Sequence, residues 1–192
     1  MTNEIHQKDF IESLFYQDLE VSQELYDYVS SYDMDKIDHA ETSFYRTELD
    51  LQLVKLTMQC VEPFFIEIGK RLNKTGLQFL KMWVQKYAEY NYHAIHTHAL
   101  DAYNYSFVFY IDCTDQSAYT MFYSVGYPYV DHTNFKIQPV KGRCVVFPGA
   151  MPHEAMPNQD NKRLIVSGNI IYIDKERFLH RPGLNLGVEG TG

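Results

Sequence analysis

The chain has 192 residues, of which 45% are hydrophobic and 22% are charged, and its formal net charge is −8. This length suits one domain with a substantial core, so we expect residues 1–192 to form a single domain. An acidic chain without a Lys/Arg cluster argues against a nucleic-acid partner, because phosphate binding needs a basic surface.

The sequence also argues against a membrane or an export route. It contains no run of about 18 consecutive apolar residues, and its N-terminus lacks the basic and then apolar pattern of a signal peptide. The three cysteines are scattered and lack C-x-x-C spacing, which predicts neither a disulfide framework nor a thiolate zinc site: Cys60, Cys113 and Cys144. We therefore expect a cytoplasmic protein.

The N-terminal part, residues 1–76, is predicted to be helical. Apolar residues at helical spacing predict two short amphipathic helices over 8–30, with a cap at Ser22: Phe10, Leu14, Phe15, Leu19, Leu25 and Val29. A longer helix is predicted over 47–72 and should end at Asn73–Gly76. Pro63 lies inside this segment and should kink or split the helix.

Beyond Gly76 the apolar pattern changes to a period of two, and turn residues recur, which predicts short antiparallel strands. The expected strands are 78–88, 93–98, 103–112, 118–124, 135–140, 143–147 and 163–173. We expect an α+β fold: a jelly roll, or double-stranded β-helix, over 77–175 with the N-terminal helices on one sheet, followed by a tail over 176–192.

The histidines point to a metal. Residues two apart in a strand share a face, so His96 and His98 should project together, while His93 should point to the opposite face. His153 follows an apolar strand and a Gly/Pro turn, where strands end. Three histidines from two strands suit a facial metal site with open positions. Of the other five, we expect three to be solvated: His6, His39 and His180.

Arg163 opens a predicted strand ten residues after His153. Alternation places Arg163, Ile165, Ser167 and Asn169 on one face, and Leu164, Val166 and Ile170 on the other. Two interpretations are open at this point. The first face is either exposed to solvent, or it faces inward, where the guanidinium can hold a carboxylate bidentately.

The segment from about Met82 to Tyr172 resembles the Fe(II)/2-oxoglutarate-dependent oxygenases, particularly the prolyl-hydroxylase-like branch and its small bacterial and phage members. The similarity covers about half of the chain and rests on five features in order: Tyr87 in Trp83–Tyr87, His96-Thr-His98, Tyr110 at the end of a central strand, His153, and Arg163. It implies Fe(II) bound by His96, His98 and His153, with 2-oxoglutarate and O2 as co-substrates.

The resemblance also implies the other site residues. Arg163 would bind the distal carboxylate of 2-oxoglutarate with help from Tyr87 and Tyr110, and Ser167 and Asn169 would line the same pocket. It implies a hydroxylase with a prolyl or peptide-like substrate. The loop from Tyr123 to His132 is the expected lid over the substrate.

His98 departs from the family pattern, because it occupies the position of the usual carboxylate ligand. Three neutral imidazoles leave the charge of the metal to be offset by 2-oxoglutarate. Asp101 is the alternative third ligand. Two other functions stay open: a cupin-like three-His dioxygenase that does not use 2-oxoglutarate, and a binding or structural protein of the same fold without turnover.

Overall fold

The computed structural model describes residues 5–9, 13–98, 104–124, 126–129 and 132–173. Asp101 and His180 lie outside these ranges. The described helices are α1 (Gln23–Ser30) and α2 (Leu51–Arg71). The described strands are β1 (His6–Asp9), β2 (Ser13–Asp18), β3 (Asp35–Ile37), β4 (Ala40–Thr42), β5 (Gly76–Tyr87), β6 (His93–His96), β7 (Asn104–Asp112), β8 (Thr120–Tyr123), β9 (Asn134–Ile137), β10 (Arg143–Pro148), β11 (His153–Ala155) and β12 (Arg163–Ile173).

The strands form two antiparallel sheets. The major sheet has the order β1-β2-β10-β7-β12-β5-β4-β3, and the minor sheet has the order β6-β11-β8-β9. One apolar cluster joins the inner face of the major sheet to Phe122 of the minor sheet. A second cluster joins the opposite face of the major sheet to α1 and α2. This arrangement confirms the predicted α+β jelly roll with helices on one sheet.

Strand β12 shows how the sequence produces the two faces. Leu164, Val166 and Ile170 belong to the helix-side cluster, whereas Ile165 belongs to the cluster between the sheets. The predicted alternation along this strand is therefore confirmed. Gly168 allows the helix side to pack closely, because a Cβ there would lie 2.4 Å from the ring of Phe107.

The first predicted helix within 8–30 is wrong, because this segment forms the β1–β2 hairpin, and β2 pairs with β10. Leu14 belongs to the cluster between the sheets and Phe15 to the cluster under the helices. A strand buried on both faces carries consecutive apolar residues, which periodicity alone cannot distinguish from a helix. The second helix is confirmed as α1. The predicted cap is also present, because the Ser22 side chain accepts a hydrogen bond from the backbone N–H of Leu25 in α1.

Helix α2 runs without interruption through Pro63, so of the two predicted effects the split is wrong and the kink stays a prediction. Pro63 and Gln59 both lie on the exposed side of the helix. Because proline has no backbone N–H, the carbonyl of Gln59 lacks its usual hydrogen bond within the helix. Water can solvate that carbonyl, while the buried face packs on the major sheet through Phe64, Phe65 and Ile68. The short strands β3, β4 and β11 were not predicted.

Asp50 caps α2 and joins it to α1. Its carboxylate accepts hydrogen bonds from the backbone N–H of Leu53 and from the hydroxyls of Tyr28 and Tyr32. Burial alone would raise the pKa of Asp50, but these hydrogen bonds outweigh it and leave the pKa below its ordinary value of 3.8. Neither of the described helices is long and apolar enough to cross a membrane.

Candidate metal centre

Three histidines meet at the end of the minor sheet. His96 of β6 lies directly opposite His153 of β11, and His98 follows two residues after His96. One ring nitrogen from each histidine lies within 4.8 Å of the others. The Nε2 atoms of His98 and His153 are 3.2 Å apart. Two nitrogens bound to one ion at about 2.1 Å would lie about 3 Å apart, so this donor set fits a metal.

Backbone carbonyls orient two of these rings. The Nδ1 atom of His153 lies 3.0 Å from the Met151 carbonyl oxygen, and Nδ1 of His96 lies 2.7 Å from the Ala94 carbonyl oxygen. A ring that donates from Nδ1 to a carbonyl keeps a lone pair on Nε2. Metal-binding histidines are typically held in this way.

Burial keeps the cluster in its metal-binding form. It lowers the pKa of His98 to about 4, with a smaller contribution from the neighbouring His96. Burial also lowers the pKa of His96, and it lowers that of His153 well below its ordinary range. All three imidazoles are therefore neutral at physiological pH, and a metal does not have to displace protons from them.

The structure adds a fourth histidine to the site. His93 was expected on the opposite face, but its ring stacks on that of His96 with centroids 3.9 Å apart, and it lines the same cavity. A β-bulge between β6 and β11 causes the difference: His96 pairs with His153, yet His93, three residues earlier, pairs with Ala155. Burial and the neighbouring His96 lower the pKa of His93 to about 3.

Arg163 lies in the same cavity, with 1% of its surface exposed. Its Nη2 atom donates a 2.7 Å hydrogen bond to Thr120 Oγ1. Its Nε and Nη1 atoms have no hydrogen-bond partner among the described residues. A buried cation with unpaired donors is costly to desolvate, and an anion bound at those donors would offset part of that cost. The inward-facing interpretation of Arg163 is therefore the correct one.

Two tyrosines and a threonine surround the guanidinium. The Cζ atom of Arg163 lies 4.7 Å from the ring centroid of Tyr87 and 5.8 Å from that of Tyr110. The Tyr110 hydroxyl forms a 2.6 Å hydrogen bond with Thr120 Oγ1. Burial raises the pKa of Tyr87 to about 12, so its hydroxyl remains a proton donor. Sequence reasoning missed Thr120, because only the packing of β8 against the major sheet places it beside Arg163.

The cavity is partly open to solvent. None of the described residues that line it is acidic: Trp83, Gln85, Tyr87, His93, His96, His98, Phe107, Val108, Thr120, His153, Ala155, Arg163, Ile165 and Ser167. Ser167 thus lies where it was predicted. Asn169 is not among the lining residues, and its Oδ1 accepts a hydrogen bond from Ser106. The predicted lid over 123–132 includes residues that are not described, so it stays a prediction.

Comparisons with known proteins support the fold. No family model and no curated protein matches the chain. An oxidoreductase of the 2OG-Fe(II) oxygenase family from Burkholderia pseudomallei matches with a TM-score of 0.60 at 12% identity, over 76% of this chain and 75% of that one. A Pseudomonas putida prolyl-4-hydroxylase matches with a TM-score of 0.59 at 12% identity, over 83% and 92%.

A third solved structure is SnoN, a non-haem α-ketoglutarate-dependent epimerase from nogalamycin biosynthesis. Its TM-score is 0.61 at 13% identity, over 92% of this chain and 86% of that one. Identities this low establish the fold. The chain therefore has the double-stranded β-helix fold of the 2-oxoglutarate-dependent oxygenases.

Proposed function

We propose that this protein is a mononuclear non-haem iron enzyme that uses 2-oxoglutarate as co-substrate. The observation that carries the proposal is the buried Arg163, whose Nε and Nη1 atoms are unpaired among the described residues, in one cavity with the three-histidine cluster. A dicarboxylate with a keto acid at one end fits both features, because it can chelate a metal and present a distal carboxylate to the guanidinium.

In this proposal the histidines bind the metal, and the rest of the cavity binds and orients the co-substrate. His96, His98 and His153 would hold Fe(II) on one face and leave the remaining positions to ligands. Fe(II) with 2-oxoglutarate and O2 supplies oxidative decarboxylation of the oxoacid coupled to oxidation of a substrate C–H bond. The protein contributes by orienting the co-substrate and by excluding water from the buried end of the cavity.

Arg163 would bind the distal carboxylate through its free donors. Thr120 accepts a hydrogen bond from Arg163 and is bonded to the Tyr110 hydroxyl, so it fixes the position of the guanidinium. Tyr87 lies against the guanidinium and keeps its proton. These three neighbours hold Arg163 in place without neutralising its charge, which remains available for the carboxylate.

The same proposal extends to the substrate. We propose a hydroxylase that acts on a prolyl or peptide-like side chain. The expectation comes only from the resemblance to the prolyl-hydroxylase-like branch, and the fold shared with the Pseudomonas putida prolyl-4-hydroxylase is consistent with it. Proline-containing peptides are therefore the first substrates to test, with product mass increased by one oxygen atom as the readout.

The co-substrate is tested by succinate formation. Apoprotein given Fe(II), ascorbate, O2 and 2-oxoglutarate should release succinate slowly even without substrate, and the His153→Ala variant should not. Detection by NMR separates enzymatic succinate from contaminating carboxylic acids. Equal succinate release by the wild-type protein and His153→Ala would contradict the proposal.

A further inference from the structure

Two histidines outside the triad extend it into a continuous row of five imidazoles. His39 lies in the turn between β3 and β4, and its ring centroid is 6.1 Å from that of His93. The ring of His93 stacks at 3.9 Å on His96, which lies 4.2 Å from His153. The row therefore connects the β3–β4 turn with the buried end of the cavity.

The outer end of the row lies at the protein surface. His39 is half-buried and packs on the ring of Tyr92, which is 44% exposed. The backbone N–H of Tyr92 donates a hydrogen bond to the His39 carbonyl and holds the β3–β4 turn beside β6. His39 thus remains partly solvated, as expected, while the turn that carries it folds against β6.

A metal ion that enters the cavity meets few described groups that favour it before it reaches the triad. His153 is only 4% exposed, and none of the described lining residues is acidic, so no carboxylate among them attracts or partly dehydrates an incoming cation. Arg163 places a positive charge in the same cavity. A hydrated divalent ion that reached the triad directly would have to lose water and approach this charge without a carboxylate from the described lining residues to compensate it.

We propose that His39 and His93 form a metal-capture site, which binds a divalent first-row metal ion at the surface and passes it to the triad. This inference rests on the proposed function, since it needs the triad as the final site. Two imidazoles bound to one ion at about 2.1 Å place their ring centroids about 4.5 Å apart at a right angle and about 6.4 Å apart when they lie on opposite sides of the ion. The 6.1 Å between His39 and His93 therefore allows a shared ion only at a wide angle.

His93 is suited to the transfer because it lies between His39 and the triad. Its ring contacts His39 on one side and His96 on the other, and it lines the cavity that holds all three triad rings. The lone pairs of His93 lie in the plane of its ring and not on the face that stacks on His96, so the proposed transfer includes a turn of the His93 ring between the two partners. Each step then exchanges one imidazole for the next, and the ion need not return to a fully hydrated state. Imidazole is a good ligand for Fe, Co, Ni and Zn.

The test measures how fast the apoprotein takes up Co(II), followed by stopped-flow absorbance without 2-oxoglutarate. Dissociation is measured separately by chase with an excess of chelator. His39→Gln and His93→Gln should each slow association and dissociation about tenfold, or about 1.4 kcal/mol in the barrier, and leave the equilibrium Kd unchanged. A residue that only assists the passage of the ion lowers the same kinetic barrier for association and for dissociation, so the equilibrium Kd does not depend on it. Because the residues act in series, the double variant should be no slower than the slower single variant.

His6→Gln is the matched control, since His6 lies on β1, at the edge of the major sheet opposite to β3 and β4. Its Co(II) kinetics should match those of the wild-type protein. Unchanged rates in both row variants would overturn the capture site. A raised Kd with unchanged association in His39→Gln would also overturn it, because His39 would then be an equilibrium ligand. Failure of the wild-type protein to bind Co(II) at all would instead overturn the proposed function.

Discussion

Replacing Arg163 with methionine removes the positive charge and keeps most of the side-chain volume. The guanidinium is 1% exposed and has two donors without partners among the described residues. Loss of a buried, charge-assisted contact of this kind typically costs about 2–5 kcal/mol. The Kd for 2-oxoglutarate should therefore rise roughly 30-fold or more, while Co(II) or Fe(II) affinity without co-substrate should change little.

Isothermal titration of metal-loaded, anaerobic protein with 2-oxoglutarate measures this effect, and pyruvate separates its causes. Pyruvate keeps the chelating keto acid and lacks the distal carboxylate, so wild type and Arg163→Met should bind it similarly. The free energy of unfolding should not fall in the variant, because an unpaired buried cation opposes folding.

Arg143→Met is the matched control. The Arg143 guanidinium makes two hydrogen bonds, of 2.7 and 2.9 Å, with the Asp18 carboxylate and is not among the described cavity residues. This control should bind 2-oxoglutarate as the wild-type protein does. If Arg163→Met also binds 2-oxoglutarate with unchanged affinity, or if it loses metal as His153→Ala does, the role assigned to Arg163 is wrong. A three-His dioxygenase without 2-oxoglutarate would then explain the site better.

Three further predictions concern the metal ligands and the helices. The His153→Ala variant should stay folded. Mass spectrometry should show less than one metal ion per chain, because only two of the three imidazoles of the triad remain; full metal occupancy would place the site elsewhere. His98→Asp should bind Fe(II) more tightly without 2-oxoglutarate, since it supplies the missing negative charge; a greater loss of Fe(II) in Asp101→Ala than in His98→Ala would make Asp101 the third ligand. Asp50→Ala should lower the free energy of unfolding by about 1–2 kcal/mol at pH 7. The pKa of Asp50 is depressed in the folded protein, so the part of this difference that comes from ionisation should be complete above the ordinary value of 3.8 and should be lost as the pH falls through the lower pKa of the folded state; a difference as large at pH 2 as at pH 7 would contradict it.

The sequence predicted β12 well because one physical pattern determines it. The strand separates two apolar clusters, so strict alternation sends Arg163 and Ile165 to one side and Leu164 and Val166 to the other. The period of two also predicted that His96 and His98 meet, although β6 ends at His96 and His98 lies in the bend that follows it. Arg163 could not be assigned to a buried face from its own strand, because alternation defines two faces without saying which one is covered.

Elsewhere the local pattern was insufficient. Strand β2 has apolar residues on both faces, so its periodicity resembled that of a helix. The position of His93 depends on a bulge between β6 and β11, and a bulge reverses the face of every residue beyond it. Thr120 reaches Arg163 only through the packing of the two sheets. Such contacts are long-range, and sequence spacing carries no direct signal for them.

The most direct test of the proposed function is an anaerobic titration of the apoprotein with Fe(II) and 2-oxoglutarate, followed by visible absorbance. Chelation of Fe(II) by the keto acid produces a metal-to-ligand charge-transfer band, and we expect it only when protein, metal and co-substrate are all present. The band should saturate at one equivalent of iron and be absent in His153→Ala. No band at saturating Fe(II) and 2-oxoglutarate, or an equal band in His153→Ala, would contradict the account.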